Sequence, residues 1–232
     1  MRRVVEPELM INPQQVLAYS EADFSSSDRN IIKCLQELIQ KHQKKIDKET
    51  LMVDLGCGPG NISQRMAQQW PQAEIIGIDG SDEMLNVARK RKTILMEKQL
   101  SSKLSYLNLD IAKVSKEIDL FHNSADIVVS NSLLHHLHDP QVLWNSIRSI
   151  SKKGTLIFNR DLRRPLTNED VIAKEQSYLP HAPSVLKRDY RASLKAAFTR
   201  DEVRKQLESA ELDFLKVIEI EDSYLDVVGI FM

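Results

Sequence analysis

The chain is short of several things, and each shortage removes a class of protein. Cysteine occurs twice in 232 residues, at Cys34 and Cys57. Cys34 falls on the apolar face of an expected helix and Cys57 inside a glycine turn, so a disulfide framework is excluded. Net charge is nearly absent: 32 Lys and Arg stand against 33 Asp and Glu, a formal −1. That balance leaves no global electrostatic footprint for DNA or RNA. No stretch approaches the roughly 20 apolar residues of a membrane span. Arg2 and Arg3 are not followed by an apolar core, so no secretory signal is expected. Internal repeats and low-complexity tracts are missing as well. The absences leave a soluble protein of a reducing, cytoplasmic setting as the expectation, with no nucleic-acid or membrane partner.

What is present has globular proportions. Hydrophobic residues make up 42% and charged residues 28%, which excludes disordered and collagen-like classes. The length suits one domain with a sizeable core. Basic residues cluster at 41–45, 89–92 and 160–164. The first two clusters close expected helices, where cations complement the dipole and face water.

Residues 12–24 read as irregular and carry Tyr19 and Phe24. Caps at 25–28 open a helix reaching about Ile46, with Ile31, Ile32, Leu35, Leu38 and Ile39 on one face. Short apolar strands are expected at 51–55, 74–79, 104–109, 125–130 and 154–159, with helices between them. The fourth is almost wholly apolar, as buried parallel strands are. A helix over 199–210 precedes strands at 214–220 and 226–231. The gap between these two is too short for a parallel crossover, so they form an antiparallel hairpin. The pattern predicts an α/β, doubly wound, seven-stranded sheet, mostly parallel, with helices on both faces and a C-terminal antiparallel hairpin. It divides one domain (1–232) into an N-terminal segment and helix (1–49), a core (50–160), an insertion or lid (161–198) and a C-terminal helix and hairpin (199–232). Insertions of such length are often lids or binding loops.

The most informative stretch is Val53-Asp54-Leu55-Gly56-Cys57-Gly58-Pro59-Gly60, a buried strand running through a glycine turn into a helix. Glycines let the backbone take conformations closed to other residues and let a ligand lie on the main chain. In the dinucleotide fingerprint two residues separate the second glycine from the third. Here Asn61 holds that place and Gly60 comes one residue early. Asp54, two residues before the first glycine, would repel phosphates but suit a cationic ligand, or organise amides beneath one. These features argue against NAD and for a cofactor with adenosine and an amino-acid-like, cationic end.

The same residues resemble the first motif of class I S-adenosylmethionine-dependent methyltransferases. The resemblance continues at Ile76-Gly77-Ile78-Asp79-Gly80-Ser81-Asp82-Glu83-Met84-Leu85, at Asn108-Leu109-Asp110-Ile111, and at Ser130-Asn131-Ser132-Leu133-Leu134-His135-His136. It covers about 50–159, with the motifs in order and register. It implies a cofactor site of Asp54, Gly56, Cys57, Gly58, Gly60, Asp79, Gly80, Met84, Asp110, Ile111 and Asn131. Asp79 would hold the ribose hydroxyls and Asp110 would lie near the adenine amino group. Tyr19 resembles a tyrosine that closes over the cofactor. Without the resemblance, Asp79 and Asp110 read as strand-end acids capping the next helices.

The implied reaction is methyl transfer from S-adenosylmethionine to a small-molecule acceptor by in-line displacement, leaving S-adenosylhomocysteine. Two alternatives stay open: a cofactor-binding protein with little catalysis, and an NAD-dependent oxidoreductase. No metal is expected. Transfer from a sulfonium needs orientation more than catalytic groups, and a base only where the nucleophile arrives protonated. His135 and His136 are the candidates for that base, against the plainer reading that they pack or face water. Arg160 and Arg163, leaving the fifth strand, could clamp an acidic acceptor or simply tie the insertion down.

Overall fold

The computed structural model describes residues 1–6, 12–97, 103–116 and 124–232. Five parallel strands form first in chain order: β1 (Leu51–Leu55), β2 (Glu74–Asp79), β3 (Leu104–Asn108), β4 (Ala125–Asn131) and β5 (Ser151–Leu162). The hairpin β6 (Lys216–Ile220) and β7 (Tyr224–Ile230) closes the chain. The strand order is β3-β2-β1-β4-β5-β7-β6, so β7 enters between β5 and β6 and runs antiparallel to both. This is the Rossmann-like, doubly wound, seven-stranded sheet that the pattern predicts.

The helices are α1 (Pro13–Glu21), α2 (Ser25–Lys41), α3 (Asn61–Gln69), α4 (Asp82–Glu97) and α5 (Ile111–Val114), then α6 (Gln141–Ile150), α7 (Asn168–Tyr178), α8 (Ser184–Ala196) and α9 (Arg200–Ser209). No helix among the described residues is long and apolar enough to cross a membrane.

Successive strand residues point to opposite faces, and each face has its own core. Val53 and Leu55 join Val128 and Ile157 under Trp144 and Ile147 of α6 and Leu207 of α9. Met52 joins Ile127, Val129 and Phe158 under Ile31 and Leu35 of α2 and Met66 of α3. Each fully buried side chain of this size contributes about 1.5–3 kcal/mol. A smaller cluster of Leu162, Val171, Leu194 and Ala197 sits beneath α7 and α8.

Several boundaries differ from the sequence pattern. Residues 13–21 form a helix rather than irregular chain: Asn12 Oδ1 accepts from the amides of Gln14 and Gln15. Only Val16 of that helix is buried, so it carries no apolar stripe for periodicity to detect. The second helix stops at Lys41 instead of Ile46. Gln43 turns left-handed (φ 50°), and the Lys44 amide bonds back to the Ile39 carbonyl. β5 extends on both sides of 154–159 and takes in Arg160, an expected site residue, and Asp161. The long insertion holds two helices; α7 begins at a capping box between Thr167 and Asp170.

Candidate functional site

Asp54 ends a strand buried on both faces and is itself 1% exposed. Its Oδ2 accepts from Ser63 Oγ of α3 at 2.5 Å. Burial raises its carboxyl to about 7, against the opposing Ser63 hydrogen bond. The chain then turns through Gly56, Gly58 and Gly60, with φ of 69°, 52° and 81°. A side chain at Gly60 would collide with Tyr106 and Gln64, whereas the space beside Gly58 is open. Glycine is therefore required at one position by packing and leaves room at the other for a ligand to approach the main chain.

Asp79, at the end of β2, closes the turn from the other side. Its two oxygens accept from the amides of Gly58 and Ser81, both at 2.8 Å. Burial pushes its carboxyl up and the two amides pull it back. Asp110 is the N-cap of α5, accepting from the Ala112 amide at 2.9 Å. Each acid thus serves the neighbouring backbone and also lines the site.

A cavity of about 990 Å³ opens above this turn. Its wall includes Asp54, Gly56, Cys57, Gly58, Asp79, Gly80, Met84, Asp110, Ile111, Asn131 and Tyr19, so these expected positions are gathered in one place. Gly60 is not among the lining residues; it starts α3 behind the wall. Tyr19 stacks on Phe24 with ring centroids 4.9 Å apart. The Cys57 thiol is buried and its pKa stands well above the ordinary value, so it is held neutral.

His135 and His136 also line the cavity, in a short 3-10 turn after β4. His135 is 3% exposed. Its Nδ1 lies 2.6 Å from Asp161 Oδ1, and its Nε2 is 3.7 Å from Glu6 Oε1. Burial opposes its charged form, but the two carboxylates outweigh that and raise its pKa. The second oxygen of Asp161 accepts from the Leu134 amide at 2.7 Å, fixing the turn. His136 Nδ1 is 3.2 Å from the same Glu6 oxygen. Glu6, His135 and His136 together form the one carboxylate–imidazole group among the described residues compact enough to hold a metal ion.

The arginines at and just beyond the end of β5 are each paired with a carboxylate. Arg160 reaches the cavity wall, yet its Nε and Nη2 both bond Asp226 of β7 at 2.6 Å. Arg163 is absent from that wall and pairs outside with Glu219 at 2.6 Å. Arg164 pairs with Glu202 of α9 at 2.7 Å. These side chains join the hairpin and α9 to the sheet, the tie that the sequence left as an alternative.

Several wall residues carry no motif that the sequence reading used. Asp28, read as part of a helix cap, is 5% exposed and receives Asn61 Nδ2 at 3.3 Å and Arg65 at 3.5 Å. Tyr178, Tyr190 and Tyr224 come from α7, α8 and β7 to wall the far end. Arg3 donates to the carbonyls of His135, Leu137 and Ala196, and so straps α8 to the histidine turn.

The profile of the family described as Methyltransferase domain matches residues 46–211, so the chain belongs to that family. An uncharacterised methyltransferase of Schizosaccharomyces pombe is 30% identical over 118 residues, 49% of this chain and 39% of that protein. A trans-aconitate 2-methyltransferase of Afipia carboxidovorans is 58% identical over 40 residues, 17% of this chain and 16% of that one. The matches thus span well under two thirds of these relatives' own length. Among solved structures, a protein of Methanococcus maripaludis described as a putative S-adenosylmethionine-dependent methyltransferase superposes with a TM-score of 0.65. It shares 16% identity, with 97% of this chain and 96% of that one covered.

Proposed function

We infer that the protein transfers a methyl group from S-adenosylmethionine to a small-molecule acceptor held in the same cavity. One observation carries the reading: a single continuous space runs from the glycine turn and its acids to the far wall of α7, α8 and β7. The residues fit the methyl donor. Gly58 leaves its main chain open to the cavity, and four carboxylates, Asp28, Asp54, Asp79 and Asp110, offer a cation-favouring wall. Gly56 to Gly58, Asp79 and Asp110 would hold its nucleoside part, and Asp54 with the loop at Asn131 its amino-acid part. Bound there, S-adenosylmethionine supplies an electrophilic methyl group whose departure leaves a neutral thioether.

The chain contributes position and dryness. Asp79 fixes the turn through two amides, Tyr19 and Phe24 cover it from α1 and its C-terminal side, and α7 and α8 wall the far end. Orientation of this kind lowers such a barrier by up to about 7–11 kcal/mol. His135, its pKa raised by Asp161 and Glu6, is read as a positioning group for the turn. Calorimetry with S-adenosylmethionine, S-adenosylhomocysteine and NAD tests the donor. Binding of NAD in preference to the sulfonium compounds would sink the reading. A methyl-transfer screen over a metabolite collection then tests catalysis, with a labelled product as the expected result.

A further inference from the structure

The far end of the cavity has a chemistry of its own. Tyr178 and Tyr190 stand with ring centroids 6.4 Å apart at 58°, and Tyr224 lines the same wall. The Tyr178 hydroxyl is engaged, donating to Asp222 Oδ1 and accepting from Ser223 Oγ, both at 3.2 Å. The Tyr190 hydroxyl is buried and has no hydrogen-bond partner among the described residues. A buried polar group left in that state is destabilising, and in a cavity wall a ligand is what relieves it.

Charge at the wall is one-sided. Among the described lining residues there are eight carboxylates and a single guanidinium, that of Arg160. Asp226 neutralises that guanidinium through two hydrogen bonds of 2.6 Å. Asp189 of α8 lines the cavity with its side chain 20% exposed, steadied by Gln15 at 3.0 Å and by Arg188 at 2.9 Å. Among the described residues, an incoming carboxylate or phosphate would meet like charge and only paired cations, since Arg160 has Asp226 and His135 has Asp161 and Glu6; such an arrangement rejects anions. An amine meets carboxylates and aromatic faces, both of which attract cations.

We propose that the acceptor is an amine-bearing small molecule with an apolar body, recognised by the tyrosine wall of Tyr178, Tyr190 and Tyr224, hydrogen-bonded to Tyr190 Oη, and that anionic acceptors are excluded. The proposal rests on the methyltransferase reading and narrows it to a substrate class. It departs from the acidic acceptor that the arginines of β5 suggest in sequence, because each of those arginines has its own carboxylate. The relative named for trans-aconitate matches only 40 residues, too few to bring an acceptor with it.

Three probes of one shape and different charge provide the test: tyramine, tyrosol and 4-hydroxyphenylacetate, titrated into protein saturated with S-adenosylhomocysteine. Tyramine is expected to bind tightest and 4-hydroxyphenylacetate at least about 30-fold more weakly. Tyr190→Phe, which keeps the ring, is expected to weaken tyramine about fivefold to tenfold while S-adenosylhomocysteine binds as before. Tightest binding of the carboxylate, equal binding of the three, binding of none, or an unchanged Tyr190→Phe overturns the proposal. Failure of S-adenosylhomocysteine itself to bind marks failure of the methyltransferase reading instead, so the two are told apart in one sample.

Discussion

The two ends of the cavity are built by different means. The end proposed for the methyl donor is a local construction: β1, the glycine turn and the end of β2 lie within 29 residues, 51–79, and are joined mainly by backbone hydrogen bonds. The end proposed for the acceptor is assembled from α7, α8, β7 and the strap at Arg3, whose contacts bridge up to 193 positions. Main-chain geometry is set by a few residues with special φ, so it leaves a compact signature. A wall of converging side chains leaves none, because each member is an ordinary residue in an ordinary helix or strand. The difference predicts that donor affinity and acceptor affinity respond to separate sets of substitutions.

The largest effect is expected where the acceptor end meets the sheet. Asp226→Asn strands the Arg160 guanidinium, 5% exposed, and should cost about 3–5 kcal/mol in urea unfolding. A double replacement, Arg160→Met with Asp226→Leu, should recover most of that loss; no recovery would mean that the pair does more than balance charge. Next comes the donor end. Asp79→Ala removes the charged acceptor of two amides, and S-adenosylhomocysteine affinity should fall about 100-fold by calorimetry. Tyramine binding to the same variant, at saturating S-adenosylhomocysteine, should hardly change. A parallel loss at both ends would erase the distinction between them.

A smaller effect comes from pH. The Asp54 carboxyl is raised from 3.8 to about 7, so the folded chain keeps a proton that the unfolded chain gives up. Its contribution to stability is whole below about pH 4 and is lost as pH rises towards 7. Asp54→Asn, which mimics the protonated form, should flatten that part of the stability–pH curve; an unchanged slope would show that another group sets it. The smallest effect is expected at Arg163. Its pair with Glu219 is half in water, so Arg163→Ala should cost under about 1 kcal/mol and leave both ligands' affinities alone. A change in acceptor affinity there would return Arg163 to the site.

The core strands, their parallel order and the closing hairpin were legible because buried strands are runs of apolar residues and the helices between them carry stripes. α1 was illegible because a helix with one buried residue has no stripe. On the donor side, Asp54, Asp79, Asp110 and Asn131 were legible from their places at strand ends. Gly60 belonged to the same motif, yet its role is to begin α3 beside Tyr106 rather than to face the cavity. The basic run 160–164 was visible, but its meaning was not: the partners Asp226, Glu219 and Glu202 lie 38–66 positions away. His135 stood out as a possible base; its pairing with Asp161 and its approach to Glu6, 26 and 129 positions away, were not legible.

By itself the sequence determined the sheet and the glycine turn, because each is encoded in backbone preference and apolar period over short stretches. The tertiary structure alone decided which charges face the cavity and which are cancelled. Electrostatic partners are chosen by distance in space, and spacing along the chain says nothing of that until the sheet has brought β5 beside β7 and α8 over the histidine turn.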